Sequence, residues 1–234
     1  MPVVLNLNNV GENNLDKIST IKFIPNDEEH SIKILGIHLD SKLNFKAHIN
    51  SVHAKISRSL YSLKQMRHLL DGLHLKLLFS AYIKSHVDYA DIFYCLCDQR
   101  TLKPLETIYK KAIRILAGAK FRDHTTPLFI QYKILPLKEN SEFNIIKLMY
   151  RCDHGSLPHC IKDFWRRNKD VSGRDTRNAD HFYNESFKYR FLENHPYFYF
   201  PKLYNELDDE FKLIRDEKVF NKTVKSFLFD RIDQ

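Results

Sequence analysis

Five cations, Arg100, Lys103, Lys110, Lys111 and Arg114, have the types and spacing that best fit a defined chemistry in this sequence. At about 100° per residue of helix they share an arc about 100° wide, with no acid inside it. Leu102, Leu105, Ile108, Tyr109, Ala112, Ile113 and Leu116 form an apolar stripe on the opposite side. Long cationic side chains held in line on a rigid helix can track a phosphate backbone, which supplies most sequence-independent affinity for nucleic acid. The plainer alternative is a solvated basic face.

Other constellations carry less. Cys152, His154, His159 and Cys160 invite a zinc site, but structural zinc pairs are separated by two to four residues. His159 and Cys160 are adjacent and would point apart on a helix. A helix–loop–helix junction without metal is therefore expected there. Cys95 and Cys97 are separated by one residue and fit a metal pair still less. The sequence contains no nucleophile elbow, P-loop or dinucleotide fingerprint.

The elements that must position the cations follow from composition and periodicity. The chain has 234 residues, 43% of them hydrophobic, enough for a packed core. Only 6 Gly and 8 Pro favour helices over a turn-rich all-β chain. The net charge of +8 is local. Residues 41–122 hold 15 Lys/Arg against 5 Asp/Glu, whereas 1–40 hold 3 against 6 and 123–234 hold 19 against 18. That segment calls for an anionic partner. The start of the chain lacks the basic-then-apolar pattern of a signal peptide, and no apolar run reaches the ~18 residues a membrane span needs. An intracellular location, nuclear or cytoplasmic, with free thiols and no membrane partner is expected.

The expected fold is mainly α, a helical bundle with a small N-terminal β-hairpin and an irregular C-terminal part. Residues 1–17 read as a loose N-terminus. Residues 18–40 read as a hairpin, with Ile21 and Phe23 in one strand, Ile32 and Ile34 in the other, and Pro25–Glu29 as the turn. Phe45, Ile49, Val52, Ile56, Leu60, Leu63 and Met66 define a first helix. Asp71-Gly72 stops it. A second helix runs from about Leu73 to Tyr89 or beyond, with Leu77, Leu78, Ala81, Tyr82 and Ser85 inward. The third spans about Thr101–Ala117 and ends at Gly118. A short fourth begins at Thr125-Thr126-Pro127, and a fifth spans Lys138–Arg151. Residues 168–200 are expected to form a long loop or a poorly ordered connection. A final helix buries Phe220, Val224, Phe227 and Leu228.

Six segments carry a family likeness. Lys33–Asp40 resembles the Leu-Gly strand near the palm–thumb junction of non-LTR retrotransposon reverse transcriptases. Leu43–Ile49 resembles the start of the helix after it in jockey-like elements. Phe121–Phe129, Lys133–Leu137, Asp175–Asn178 and Phe200–Leu207 are similar to segments downstream in the same proteins, in the same order and at similar spacing. The resemblance covers roughly residues 30–230. It implies a basic thumb-like bundle over 41–122, a post-thumb region over 123–234, and a parent activity of RNA-directed DNA polymerisation with two Mg²⁺ held by palm carboxylates.

Those carboxylates precede the Leu-Gly strand in the family. Only 34 residues precede Leu35 here, so no catalytic residue and no cofactor are expected in this chain. Tyr89-Ala90-Asp91 superficially resembles the polymerase active-site turn, but it has one Asp, follows the Leu-Gly strand and continues a helical pattern. The implied partners are an RNA–DNA hybrid or DNA duplex backbone and a palm-containing polymerase polypeptide. Thumb helices of the resembled enzymes grip the template–primer duplex. That adds Lys55 and Arg58 of the first helix, whose cations are spread around its circumference, to the candidate contacts. Gly36 marks either close approach of a ligand to a strand or a bend before the first helix. Arg122 would meet phosphate or serve loop capping and surface pairing. A non-enzymatic interaction scaffold, or an inactive remnant, is the alternative.

Overall fold

In the computed structural model, residues 31–40, 43–173, 177–184 and 194–233 are described. They form a mainly helical bundle fronted by one two-stranded antiparallel hairpin. Strand β1 (Ser31–Ile34) pairs with β2 (Ile37–Asp40) in the register Ser31↔Asp40 to Ile34↔Ile37. Lys33–Asp40 is therefore two strands, not one. Leu35 and Gly36 make the connecting turn at φ 48° and 85°. Two positive-φ residues match the twist of a tight hairpin, and Gly36 supplies the second without steric cost. The strand holding Ile32 and Ile34 thus pairs forward. The expected strand at Ile21 and Phe23 and the turn at Pro25–Glu29 lie outside the described residues.

Helix α1 (Lys46–Met66) buries Ile49, Val52, Ile56, Leu60 and Leu63, as the periodicity predicts, whereas Met66, the last of that series, is exposed. Helix α2 (Gly72–Phe79) is capped by Asp71, whose carboxylate accepts from the His74 N–H at 2.9 Å. Asp71-Gly72 thus starts a helix as much as it ends one. A π-helical turn, Ser80–Lys84, follows, then α3 (Ser85–Asp88). The inward face here is Leu75, Phe79, Ile83 and Val87, whereas Leu77 and Tyr82 are exposed. The expected face is corrected by the wide turn. Steps of four drift forward in an α-helix and back in a π-turn, so a strict four-residue spacing stays on one side. The segment breaks at Ala90, φ 62°, and α4 (Asp91–Tyr94) starts afresh, so Asp91 does not continue the preceding helix.

Helix α5 (Gln99–Ala117) buries Leu105, Ile108, Tyr109, Ala112, Ile113 and Leu116 and stops at Gly118, φ 70°. Leu102 is half-buried. The Arg67 guanidinium, just past α1, lies against Gly118, just past α5, so the two packed helices end side by side. Helix α6 (Thr126–Tyr132) has proline in its first turn, but Thr125 makes no side-chain cap bond. Helix α7 (Leu137–Asp153) crosses to the second half of the chain.

Beyond it lie α8 (His159–Lys162), α9 (Asn168–Ser172), α10 (Pro196–Asn205), α11 (Asp209–Lys212) and α12 (Glu217–Asp233). The span 168–200 is thus partly helical. Asn205 ties it in, accepting from the Phe182 N–H at 3.1 Å and donating to the Phe182 carbonyl at 2.8 Å. One core joins α1, α2, α5 and α6, including Phe129 and Ile134. A second joins α7, α10 and α12 around Ile145, Met149, Phe200, Tyr204, Phe220 and Leu228. Leu137 of α7 belongs to the first core, and Ile145, Ile146 and Met149 to the second.

Candidate nucleic-acid interface

The apolar stripe of α5 fixes its rotation, so the opposite face must carry the charge. Arg100, Lys103 and Lys111 are exposed, and Lys110 and Arg114 are half-buried. An acid flanks the arc and reaches into it. Glu106 pairs with Lys103 at 3.3 Å and with Lys110, and the Lys110 hydrogen bond, ahead of its charge, holds the Glu106 carboxyl below its ordinary range. The arc alone places Glu106 outside, but its i+3 and i+4 spacing to the two lysines is the signal that finds it. Arg114 Nε donates to the Asp123 carbonyl at 2.9 Å, which orients it without cancelling its charge. Arg100 and Lys111 make no ion pair among the described residues.

The other candidates gather elsewhere. Lys55 and Arg58 of α1 approach His86 of α3, whose pKa is lowered first by burial and then by these two cations. No hydrogen bond or ion pair among the described residues joins this pair to the α5 face. Gly36 sits in the hairpin turn. A Cβ there would stand 3.7 Å from the Tyr89 ring, and the Tyr89 hydroxyl donates to the Leu35 carbonyl. Gly36 therefore serves the turn, with a tyrosine beside it. Arg122 is exposed in the loop after α5.

Asp91 is 2% exposed and belongs to a closed polar cluster. Its Oδ2 accepts from Asn144 at 2.7 Å and from Asn140 at 3.1 Å. Asn140 also donates to Asp88 and accepts from Lys84 at 2.8 Å, and Lys84 pairs with Asp88 at 2.6 Å. Burial pushes the Asp91 pKa up to about 7, with the Asn144 bond opposing and Asp88 adding. Two amide donors and a dry setting do not fit a two-metal centre, which needs converging carboxylates. Among the described residues no group of three His, Cys, Asp or Glu is arranged to hold a metal ion. Cys152 is buried in α7, His154 stacks on Tyr150, and Cys160 is exposed. Burial pushes the Cys95 and Cys97 thiols up to about 12 and about 11, so neither is a thiolate nucleophile at neutral pH.

This polar cluster joins α3 and α4 to α7, and sequence periodicity gives no sign of it because its members lie about fifty residues apart. The same holds for buried Glu142 of α7, paired with Arg231 of α12 and, at 3.8 Å, with Lys138.

Comparison of the chain with protein-family models, with curated proteins and with solved structures finds no match in any of the three. Among the described residues no helix is long and apolar enough to cross a membrane.

Proposed function

We propose that this chain binds the backbone of an RNA–DNA hybrid or DNA duplex, as the thumb and post-thumb part of a non-LTR retrotransposon reverse transcriptase. The observation that carries the binding is the α5 face, where Arg100 and Lys111, without an ion pair among the described residues, stand beside Lys103, Lys110 and Arg114 on a helix whose other side is locked into the core. Rigid placement lowers the entropy lost when cations meet phosphates. The link to reverse transcriptases rests on the six ordered sequence segments. Polymerisation and its Mg²⁺ belong, on this proposal, to a palm in the parent or a partner polypeptide.

The test is binding of a labelled RNA–DNA hybrid across a salt series. Micromolar or tighter affinity at low salt, falling steeply as salt rises, is expected. Arg100→Glu with Lys111→Glu should weaken it at least tenfold. Absence of low-salt binding, or indifference to that charge reversal, overturns the proposal. Primer extension by this chain alone would overturn its non-catalytic part.

A second reading, an interaction scaffold without nucleic acid, is favoured by one feature. Ile32, Ile34 and Leu35 of the hairpin are 46%, 51% and 86% exposed, an apolar face suited to a protein partner such as a palm-containing polypeptide. A chain that stays monomeric and gains nothing from such a partner counts against it.

A further inference from the structure

Lys76, Ser80, Lys84 and Asp88 recur at intervals of four along α2, the π-helical turn and α3, and all are half-buried. They form the stripe next to the buried series Leu75, Phe79, Ile83 and Val87. Lys84 ties this stripe to α7, donating to Asn140 Oδ1 at 2.8 Å while it pairs with Asp88 at 2.6 Å. Helix α12, of the second core, packs on both α6 and α7. It brings half-buried Lys225, whose ammonium stands 5.9 Å from the centre of the Phe229 ring. Exposed Lys133 follows α6 at φ 52°. Four lysines from separate elements thus gather where the two cores adjoin.

Their charges act on one another. Burial, then Lys84 and Lys76, lower the Lys225 pKa; Asp88 opposes and Lys133 adds. Like charges held partly out of water are poorly screened and repel. Asp88 stands against them, but Lys84 and Asn140 already engage it. Lys76, Lys133 and Lys225 make no ion pair among the described residues. Four cations and one carboxylate leave a net charge of +3. An anion from outside would offset it. Planar carboxylates favour the arginine fork, whereas lysines meet phosphate as point charges. One phosphate group brings about −1.5 to −2, so two joined groups complement this cluster better than one.

We propose that Lys76, Lys84, Lys133 and Lys225 form a binding site for a phosphoryl oxyanion, with diphosphate the better match. None of the four belongs to the α5 arc, so the site stands whether or not α5 binds nucleic acid. A free diphosphate and neighbouring phosphates of a nucleic acid offer the same chemistry, and the test separates them.

Thermal unfolding is followed with inorganic pyrophosphate at millimolar concentration and with sodium chloride at equal ionic strength. Pyrophosphate at tenfold its Kd should raise the melting temperature about 3–6 °C above the chloride control. Lys225→Gln removes a repelled charge, so without anion it should melt no lower, and it should lose most of the pyrophosphate shift. Lys133→Gln, at an exposed position, should lose about half of the shift or more and keeps the test decisive if Lys225→Gln fails to fold. Arg100→Glu with Lys111→Glu should keep the shift whole. A shift no larger than that of chloride, or one that both lysine variants retain, overturns the site. Binding of the labelled hybrid identifies the source. If nucleic acid supplies the phosphates, each lysine variant weakens hybrid binding about threefold or more, and pyrophosphate displaces the hybrid at constant ionic strength. If the ligand is a free anion, both variants bind hybrid as before and lose only the pyrophosphate shift.

Discussion

Replacing Glu106 by glutamine should strengthen nucleic-acid binding and make it more sensitive to salt. The arc carries five cations, and Glu106 touches two of them, Lys103 at 3.3 Å and Lys110. Five positive charges less one acid leave four; in Glu106→Gln all five are available. Each neutralised phosphate contributes about −0.9 to the slope of log affinity against log salt. Over a fourfold rise in salt, four contacts lose about 150-fold in affinity and five about 500-fold. The substitution is nearly isosteric and removes exposed or half-exposed pairs that contribute less than about 1 kcal/mol to folding, so the scaffold should persist. Fluorescence anisotropy with a labelled hybrid at several salt concentrations reads both slope and intercept. A slope unchanged within error, or weaker binding at low salt, would refute the idea that Glu106 restrains this face.

Asp91→Asn should stabilise the chain at pH 8 and make no difference near pH 4. The folded carboxyl titrates at about 7 against 3.8 unfolded, so its favourable contribution is complete below 3.8 and is lost as pH rises through 7. The full difference is on the order of 4 kcal/mol, measurable by urea unfolding at the two pH values. Arg231→Gln leaves the buried Glu142, among the described residues, with Lys138 as its one cation and should cost about 1–3 kcal/mol, while adding Glu142→Gln should recover most of it in a double-mutant cycle. Gly118→Ala should cost about 1–2 kcal/mol, because the backbone is left-handed and the new Cβ would run into the Arg67 guanidinium. Arg67→Ala in the same chain should relieve part of that loss, as thermal melts would show.

How far the sequence reveals the fold depends on how many surfaces each helix contacts. Helix α5 has one buried side, and its stripe from Leu105 to Leu116 is read correctly from spacing alone. The α2–α3 segment is misjudged because a π-turn shifts its phase, so that the expected inward residues Leu77 and Tyr82 lie in solvent. The turn at residues 35–36 goes unread because it sets Leu35, a residue rarely found at positive φ, beside Gly36, where the usual asparagine or aspartate would announce the bend. The cations of α5 are visible as a pattern. The partner that tempers them, Glu106, is visible only when i+3 and i+4 neighbours are checked as pairs. The Asp91 cluster depends on contacts between distant segments, and no local pattern carries it.

Helix α7 differs from α5 in having no idle side. Between Leu137 and Asp153 only Lys138 is exposed, because apolar residues serve two cores and Asn140, Glu142 and Asn144 serve polar joints. The two helices should therefore tolerate change very differently. In a saturation library scored for folded protein, α5 should accept most residues at every third or fourth position along its outer face. Substitutions in α7 should be depleted almost throughout. Drift in descendants of this gene would then erase the surface chemistry of α5 long before it altered α7, leaving the central helix as the most durable record of ancestry.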